Sequence, residues 1–395
     1  NGLANTGENI ALVYKPAGQA TTTIDEIPYD FNWYAGSSFN YSTMERYDAD
    51  IAGTNSSNWG TNNSIIKNGK NAGGGNINGT SKARNSANYL VNKGQNVSSD
   101  ITLYASNSPY LVNNSVQVFN ASSTLTIEPG VVIKFYNDAG LQFANGAKIL
   151  AQGSSANPII FTSLYDDTYG GDTNSDAAST APSAGNWYGV KINSPGAESS
   201  ISNAVFRYGG KYYNGPWSDS RANLYIANSS AEISNSIFEH SKVYGLKMVN
   251  SDSSVADSIF RNNNNVSDTA GYDSSLLAIG GNPSLSKSSF VSNHKGAYFF
   301  NSLAAVDSNT FNSNANEAVY SYGQLGSYTG NTGSGNGVNA ISVSGTITQN
   351  GATTTLAVNT LPYLLSGNVI VAASSTLAVN SGTAVKGWST GSTSY

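Results

Sequence analysis

SNAVFRY at 202–208, SNSIFEH at 234–240, ADSIFRN at 256–262, KSSFVSN at 287–293 and SNTFNSN at 308–314 are versions of one phrase. Aligned on Phe206, Phe238, Phe260, Phe290 and Phe311, they stand 32, 22, 30 and 21 residues apart. A unit of about 21–22 residues, lengthened by about 8–10 in two of its copies, has room only for short strands and corners. A second phrase lies between copies of the first: YGLKMVNS, SLLAIGG, GAYFFNS and EAVYSYG. Neither phrase has helical spacing, so each unit reads as two to three strands and the chain as a solenoid. Phe, with Ile one or two residues away, is expected to point inward and stack on its counterpart one coil on. The Asn of N-S-x-F stands just before that inward pair, where its side chain can bond to backbone or join an Asn ladder.

Upstream of the phrases the chain already runs as short β segments, SVQVF, STLTI, VVIKFY, GLQFA, AKILAQG and PIIFTS, separated by Asn, Gly and Ser. Together with the phrases, this resembles the right-handed parallel β-helix family of bacterial extracellular proteins, over residues 108–350. SPYLVNNSVQVFNASSTLTIEPGVVIKF at 108–135 matches LPYLLSGNVIVAASSTLAVNSGTAVKG at 361–387. Residues 351–395 are therefore expected to begin a second β-helix-like unit of a longer, tandem chain.

Residues 1–78 have a different character. IALVY and TTTIDEIPY flank a turn containing Gly18 and suggest an antiparallel pair. Ile24-Asp25 leading to Trp33, then Ser42-Thr43-Met44-Glu45-Arg46 and Asn58-Trp59, resemble the later part of the lamin-tail domain. That resemblance implies a small, partial immunoglobulin-like β-sandwich. Residues 79–107 read as a connector. The expected fold is thus all-β: a right-handed parallel β-helix solenoid preceded by a small lamin-tail-like sandwich.

Composition narrows the function classes. Hydrophobic residues make up 39% of the chain, enough for a core, while only 11% is charged. Nineteen Lys and Arg stand against 24 Asp and Glu with no basic stripe, which argues against nucleic-acid binding. The absence of cysteine removes disulfides, thiolate chemistry and Cys-based zinc sites. His240 and His294 are far apart, lie in no HExxH pattern and read as solvated corner residues. No apolar run approaches the length of a membrane span, and no signal peptide is visible.

Two stretches carry candidate sites. YDDTYGGDTNSDAASTAPSAGNW, 165–187, lies between PIIFTS and GNWYGVKI and reads as a long excursion from one coil. Asp172, Asn174 and Asp176 follow a D-x-N-x-D spacing whose oxygens can converge on one hard cation, with Asp166 or Asp167 adding ligands. Ala177 and Ser183 stand where an EF-hand would need Gly and Glu, so the expectation is a shorter calcium loop. A solvated acidic turn and a catalytic cluster remain the other readings. RYGGKYYNGPWSDSRANLY, 207–225, mixes aromatic and charged groups. Tyr208, Tyr212, Tyr213, Trp217 and Arg221 could present sugar-stacking faces, or could pack a loop on the solenoid's flank.

No repeated pair of acids suited to glycoside hydrolysis appears on one strand face. The expectation is an extracellular or cell-surface structural and adhesive β-helix, calcium-stiffened and contacting a surface or environmental polysaccharide. Self-association or further domains of a longer chain are additional expected contacts. The alternative is a carbohydrate-active enzyme, a polysaccharide lyase or glycoside hydrolase, with its groove near 165–225.

Overall fold

The computed structural model describes residues 7–28, 32–39, 41–46, 52–62, 69–80, 85, 96–112, 116–174, 176, 179–212, 220–263 and 272–387. Most of this chain is a parallel β-helix. The earlier coils contribute one short strand to each of three parallel ladders, while Ala297–Asp307 and Glu317–Thr329 run unbroken along the second and third. The first ladder is a nine-stranded sheet running from Tyr110–Val112 and Val132–Phe135 through Ile259–Arg261 to Thr332–Ser334. The second includes Gly189–Asn193, Ala222–Ala227, Tyr244–Val249 and Leu276–Ile279; the third includes Glu198–Ser202, Ser230–Ser234 and Ser254–Ala256.

The register answers the repeat directly. Phe206 pairs with Phe238, Phe238 with Phe260, Phe260 with Phe290, and Phe290 with Phe311. These side chains are fully buried and stack with ring centroids 5.3, 4.9, 4.6 and 4.7 Å apart, close to the strand spacing of about 4.8 Å. Phe161 extends the stack below Phe206 at 4.3 Å. The Ile beside each Phe behaves otherwise than expected: Ile237 is half-buried and Ile259 is 36% exposed. Neighbours in a strand point to opposite faces, so burying Phe turns the adjacent Ile outward.

The corners on both sides of the Phe strand take a left-handed backbone. Three residues before each Phe stand Asn203, Asn235, Asp257, Lys287 and Ser308, with φ between 47° and 57°. Two residues after it stand Tyr208, His240, Asn262, Ser292 and Ser313, with φ between 50° and 65°. The Asn of N-S-x-F therefore serves the bend, and the residue after it turns inward. Ser236, Ser258, Ser288, Asn309 and Asn331 link successive coils, each of the first four donating its backbone N–H to the next side-chain oxygen at 2.9–3.2 Å. Buried Asn ladders lie on both sides of the Phe strand: before it Asn309 donates to Asn331 and Asn331 to Asn359, at 3.0 and 2.9 Å, and a second ladder lies three residues after Phe. Asn263 donates to Asn293, Asn293 to Asn314 and Asn314 to Asn336, at 3.2, 3.0 and 2.8 Å, all buried.

The phrase repeated at 108–135 and 361–387 makes the same pairing twice, Tyr110 opposite Ile133 and Tyr363 opposite Val385. Its second copy stacks on the preceding coil, with Ile341 opposite Tyr363.

In the N-terminal region Ile10–Tyr14 pairs antiparallel with Thr22–Ile27, as the Gly18 turn suggested, and Met44–Arg46 with Trp59–Thr61. Asp25 accepts from the Gly53 N–H at 2.8 Å and pairs with Arg46, whose guanidinium lies 5.7 Å from the Trp59 ring centre. The quoted lamin-tail-like residues Asp25, Arg46 and Trp59 thus meet. Among the described residues of 1–78, however, the strands form two separate two-stranded sheets, without the facing sheets of a sandwich.

Candidate functional site

Three connections are long at one corner, where the chain passes from the first ladder to the second; of them, 213–219 and 264–271 lie outside the described residues. An ordinary passage is short: Ile237–Glu239 is followed by Tyr244–Val249. The same corner is stretched between Ile159–Ser163 and Gly189–Asn193, between Ala204–Arg207 and Ala222–Ala227, and between Ile259–Arg261 and Leu276–Ile279. The last two account for the long steps in the Phe repeat. The first is the acidic stretch.

That stretch is pinned at its far end by Trp187, which is fully buried, stacks on Phe135 at 3.9 Å and donates its indole N–H to the Arg207 carbonyl at 2.9 Å. Near its start, Asp166 is fully buried; Thr162 Oγ1 donates to one carboxylate oxygen at 2.5 Å, and Thr168 donates both its N–H and its hydroxyl to the other. Arg207 Nη1 lies 3.5 Å from the same group. Asp166 is thus committed to the turn and to Arg207.

Asp167, Asp172 and Asp176 do converge, each offering a carboxylate oxygen within 4.8 Å of the others, a grouping that could hold a metal ion. Asp176 accepts from Thr180, from the Ser179 N–H and from Asn174 Nδ2 at 2.8 Å; these bonds, Thr180 foremost, hold its pKa below the usual value. Asp167 is pushed the other way by burial and by the Asp172 charge. One oxygen each of Asp167 and Asn174 is buried without a hydrogen-bond partner. Beneath the excursion lies Lys134, fully buried, donating from Nζ to the Gly171 carbonyl. The paired glycines allow this approach: Gly170 has φ of 70°, and a Cβ there would meet Pro109 at 3.0 Å and Lys134 Cε at 3.4 Å.

The outer face of the first ladder carries a row of charge. Lys134 pairs in register with Thr162, and the same row continues to Arg207, Glu239 and Arg261 before reaching Val291 and Asn312. Glu239 is buried between two arginines: Arg261 Nε lies 2.6 Å from one oxygen, and Arg207 Nε 3.1 Å from the other without hydrogen-bond geometry. Beside this row the Arg207 guanidinium covers Tyr208 at 4.6 Å and bonds its hydroxyl at 2.8 Å. Tyr208 stacks on His240 at 5.2 Å. His240 is a corner residue as expected, yet it is half-buried, and burial lowers its pKa. Lys211 reaches back to Asp138 at 2.7 Å, and Tyr212 is 54% exposed. Arg221 stands at the corner where Ala222–Ala227 begins. Tyr213 and Trp217 lie outside the described residues.

A family model described as the pectate-lyase-like β-helix domain matches residues 94–214. That stretch is similar to pectate-lyase-like β-helices. It contains Lys134, the acidic excursion and Arg207, and stops before Glu239 and Arg261. Among solved structures the chain is similar to the periplasmic alginate epimerase AlgG, at 11% identity, covering 71% of this chain and 77% of that one, with a TM-score of 0.22. Curated proteins give no match.

Sequence reasoning grouped Asp166, Asp167, Asp172, Asn174 and Asp176 about one cation; the carboxylates of Asp167, Asp172 and Asp176 come together, Asp166 is held by Thr162, Thr168 and Arg207, and Lys134 and the Arg207–Glu239–Arg261 row were missed. Lys134 is far from the acids in sequence and carries no motif. The row had a signal: in every aligned phrase it is the residue directly after Phe.

Proposed function

We propose that this chain is a non-catalytic, extracellular β-helix scaffold that contacts an acidic polysaccharide along the corner bearing its three excursions. The observation that carries this reading is their common origin. Insertions in a solenoid that emerge on one edge gather their side chains into one surface, which is where repeat proteins bind. The exposed Tyr212, with Lys211 and the Tyr208–His240 stack nearby, supplies aromatic and cationic groups suited to uronate rings. A scaffold is favoured over an enzyme because the groups in the row are spent on one another. Arg207 and Arg261 hold Glu239, and Asp166 holds its turn.

Affinity electrophoresis through polygalacturonate, alginate and a neutral glucan, paired with an assay for new reducing or unsaturated ends, tests this. Retention by the acidic polymers alone is expected, with no new ends. K211A combined with Y212A should weaken retention at least about threefold, the loss expected for one charged and one stacking contact. Turnover of either acidic polymer, or equal retention by all three gels, would overturn the proposal.

A further inference from the structure

The acidic excursion was expected to need a calcium ion. We propose instead that its resident cation is Lys134, and that a divalent ion enters the Asp167–Asp172–Asp176 cluster only in competition with this lysine. The inference rests on the coarser reading that the cluster can hold a cation, and concerns what fills that role.

Lys134 points outward from Val132–Phe135, where a strand side chain would normally meet water, yet it is fully buried. What buries it is the excursion. Gly170 lies against its stem, where a Cβ would meet Lys134 Cε at 3.4 Å, and the Gly171 carbonyl accepts from its ammonium. Burial brings its pKa down to about 8, and the carboxylates that oppose that fall are, in order, Asp167, Asp166 and Asp172, all belonging to the excursion. Two of them, Asp167 and Asp172, belong to the trio whose oxygens converge. Asp166 is already occupied by Thr162, Thr168 and Arg207. A buried ammonium survives only with opposite charge close by, and clustered carboxylates survive only with a cation close by. Each therefore offsets part of the other's cost, with burial still holding Lys134 below the usual lysine range and Asp167 above the usual carboxylate one. The lysine is built into the strand, so the loop closes over it without any ion from solution.

A divalent ion bound to the same carboxylates would face the Lys134 charge across a poorly solvated space. Repulsion at that range, in a medium less polar than water, opposes binding strongly. Replacing Lys134 by a neutral side chain should remove the repulsion and leave the acids uncompensated. The cluster then becomes a calcium site.

Thermal melts of the whole chain, in EGTA and in millimolar calcium, read this out. The wild-type chain should melt within about 1 °C in the two conditions. K134M should melt lower in EGTA and recover by about 3 °C or more in calcium, with D167N/K134M losing that recovery. Where K134M does not accumulate as folded protein, K134Q, which can still donate to Gly171, takes its place. A calcium shift in wild type as large as in the Lys134 variant would overturn the proposal and restore a plain calcium loop. A flat response in both would overturn it differently, since the cluster would then hold no cation at all.

Discussion

At the scale of single residues, one position decides the geometry of each coil and its neighbours decide the chemistry. Phe faces in, the residue after it faces out, and the residue three before it bends the chain through the left-handed region. Asn, Asp and Ser fill that bend at four of the five aligned copies, and Lys287 fills the fifth with φ of 51°. A long side chain without a local hydrogen-bonding oxygen has no means of easing this conformation, whereas Asn enters it readily. K287N should therefore stabilise the protein, by about 0.5–1 kcal/mol, seen as a higher urea midpoint at unchanged slope. An unchanged or lower midpoint would mean that the Lys287 side chain makes a contribution beyond its bend. The Phe positions were legible because a buried ring recurring at coil length leaves a mark in any alignment. The outer row was harder to see, since a charge on a strand means little until the register brings Arg207, Glu239 and Arg261 side by side.

At the scale of the coil, the strands are short and the corners do much of the joining. Asn293 is a clear case. Its amide oxygen accepts from the Asn263 backbone N–H at 3.0 Å and from the Asn263 amide at 3.2 Å, while its own amide donates to the Phe260 carbonyl at 2.9 Å and to Asn314 at 3.0 Å. Removing the side chain strands several polar groups away from water, each costing about 1–3 kcal/mol. N293A should thus cost more than about 3 kcal/mol, while Q349A, which loses one exposed bond of 3.2 Å to Gln324, should stay within about 0.5 kcal/mol. Chemical denaturation of the two variants side by side checks the contrast; equal effects would mean that the ladder is decoration. The sequence pointed to an Asn ladder before Phe, which Asn309, Asn331 and Asn359 form although the Asn of N-S-x-F serves the bend, and it missed the ladder after Phe. Asn is good both at bending backbone and at bonding between coils, and composition cannot say which of two nearby Asn does which. The corner excursions show a similar limit. Their length was readable from the unequal steps in the repeat, but that all three leave from one corner depends on where each strand ends.

Across the molecule, the described strands of the solenoid pair with strands of adjacent coils, and the stacked Phe rings follow the same rule. Stability then adds up from each coil and its interfaces, and damage should spread only as far as neighbouring interfaces carry it. Phe260 lies mid-stack, with Phe238 and Phe290 at 4.9 and 4.6 Å. F260A removes a fully buried ring and leaves a cavity that two flanking rings cannot both fill, at a cost of about 3–5 kcal/mol. In a globular core such a loss would lower protection from hydrogen exchange throughout the domain. Here the loss should be greatest at Ile237–Glu239, Ile259–Arg261 and Ser289–Val291, while Val132–Phe135 and Ile159–Ser163 keep nearly wild-type protection. The earlier coils have their own anchor in Phe135 stacked on Trp187 and in the excursion closed over Lys134. Hydrogen exchange read peptide by peptide distinguishes the outcomes. A uniform fall along the solenoid would show that the coils unfold as one unit; a graded fall centred on Phe260 would show that the acidic corner is stabilised independently of the Phe stack beyond it.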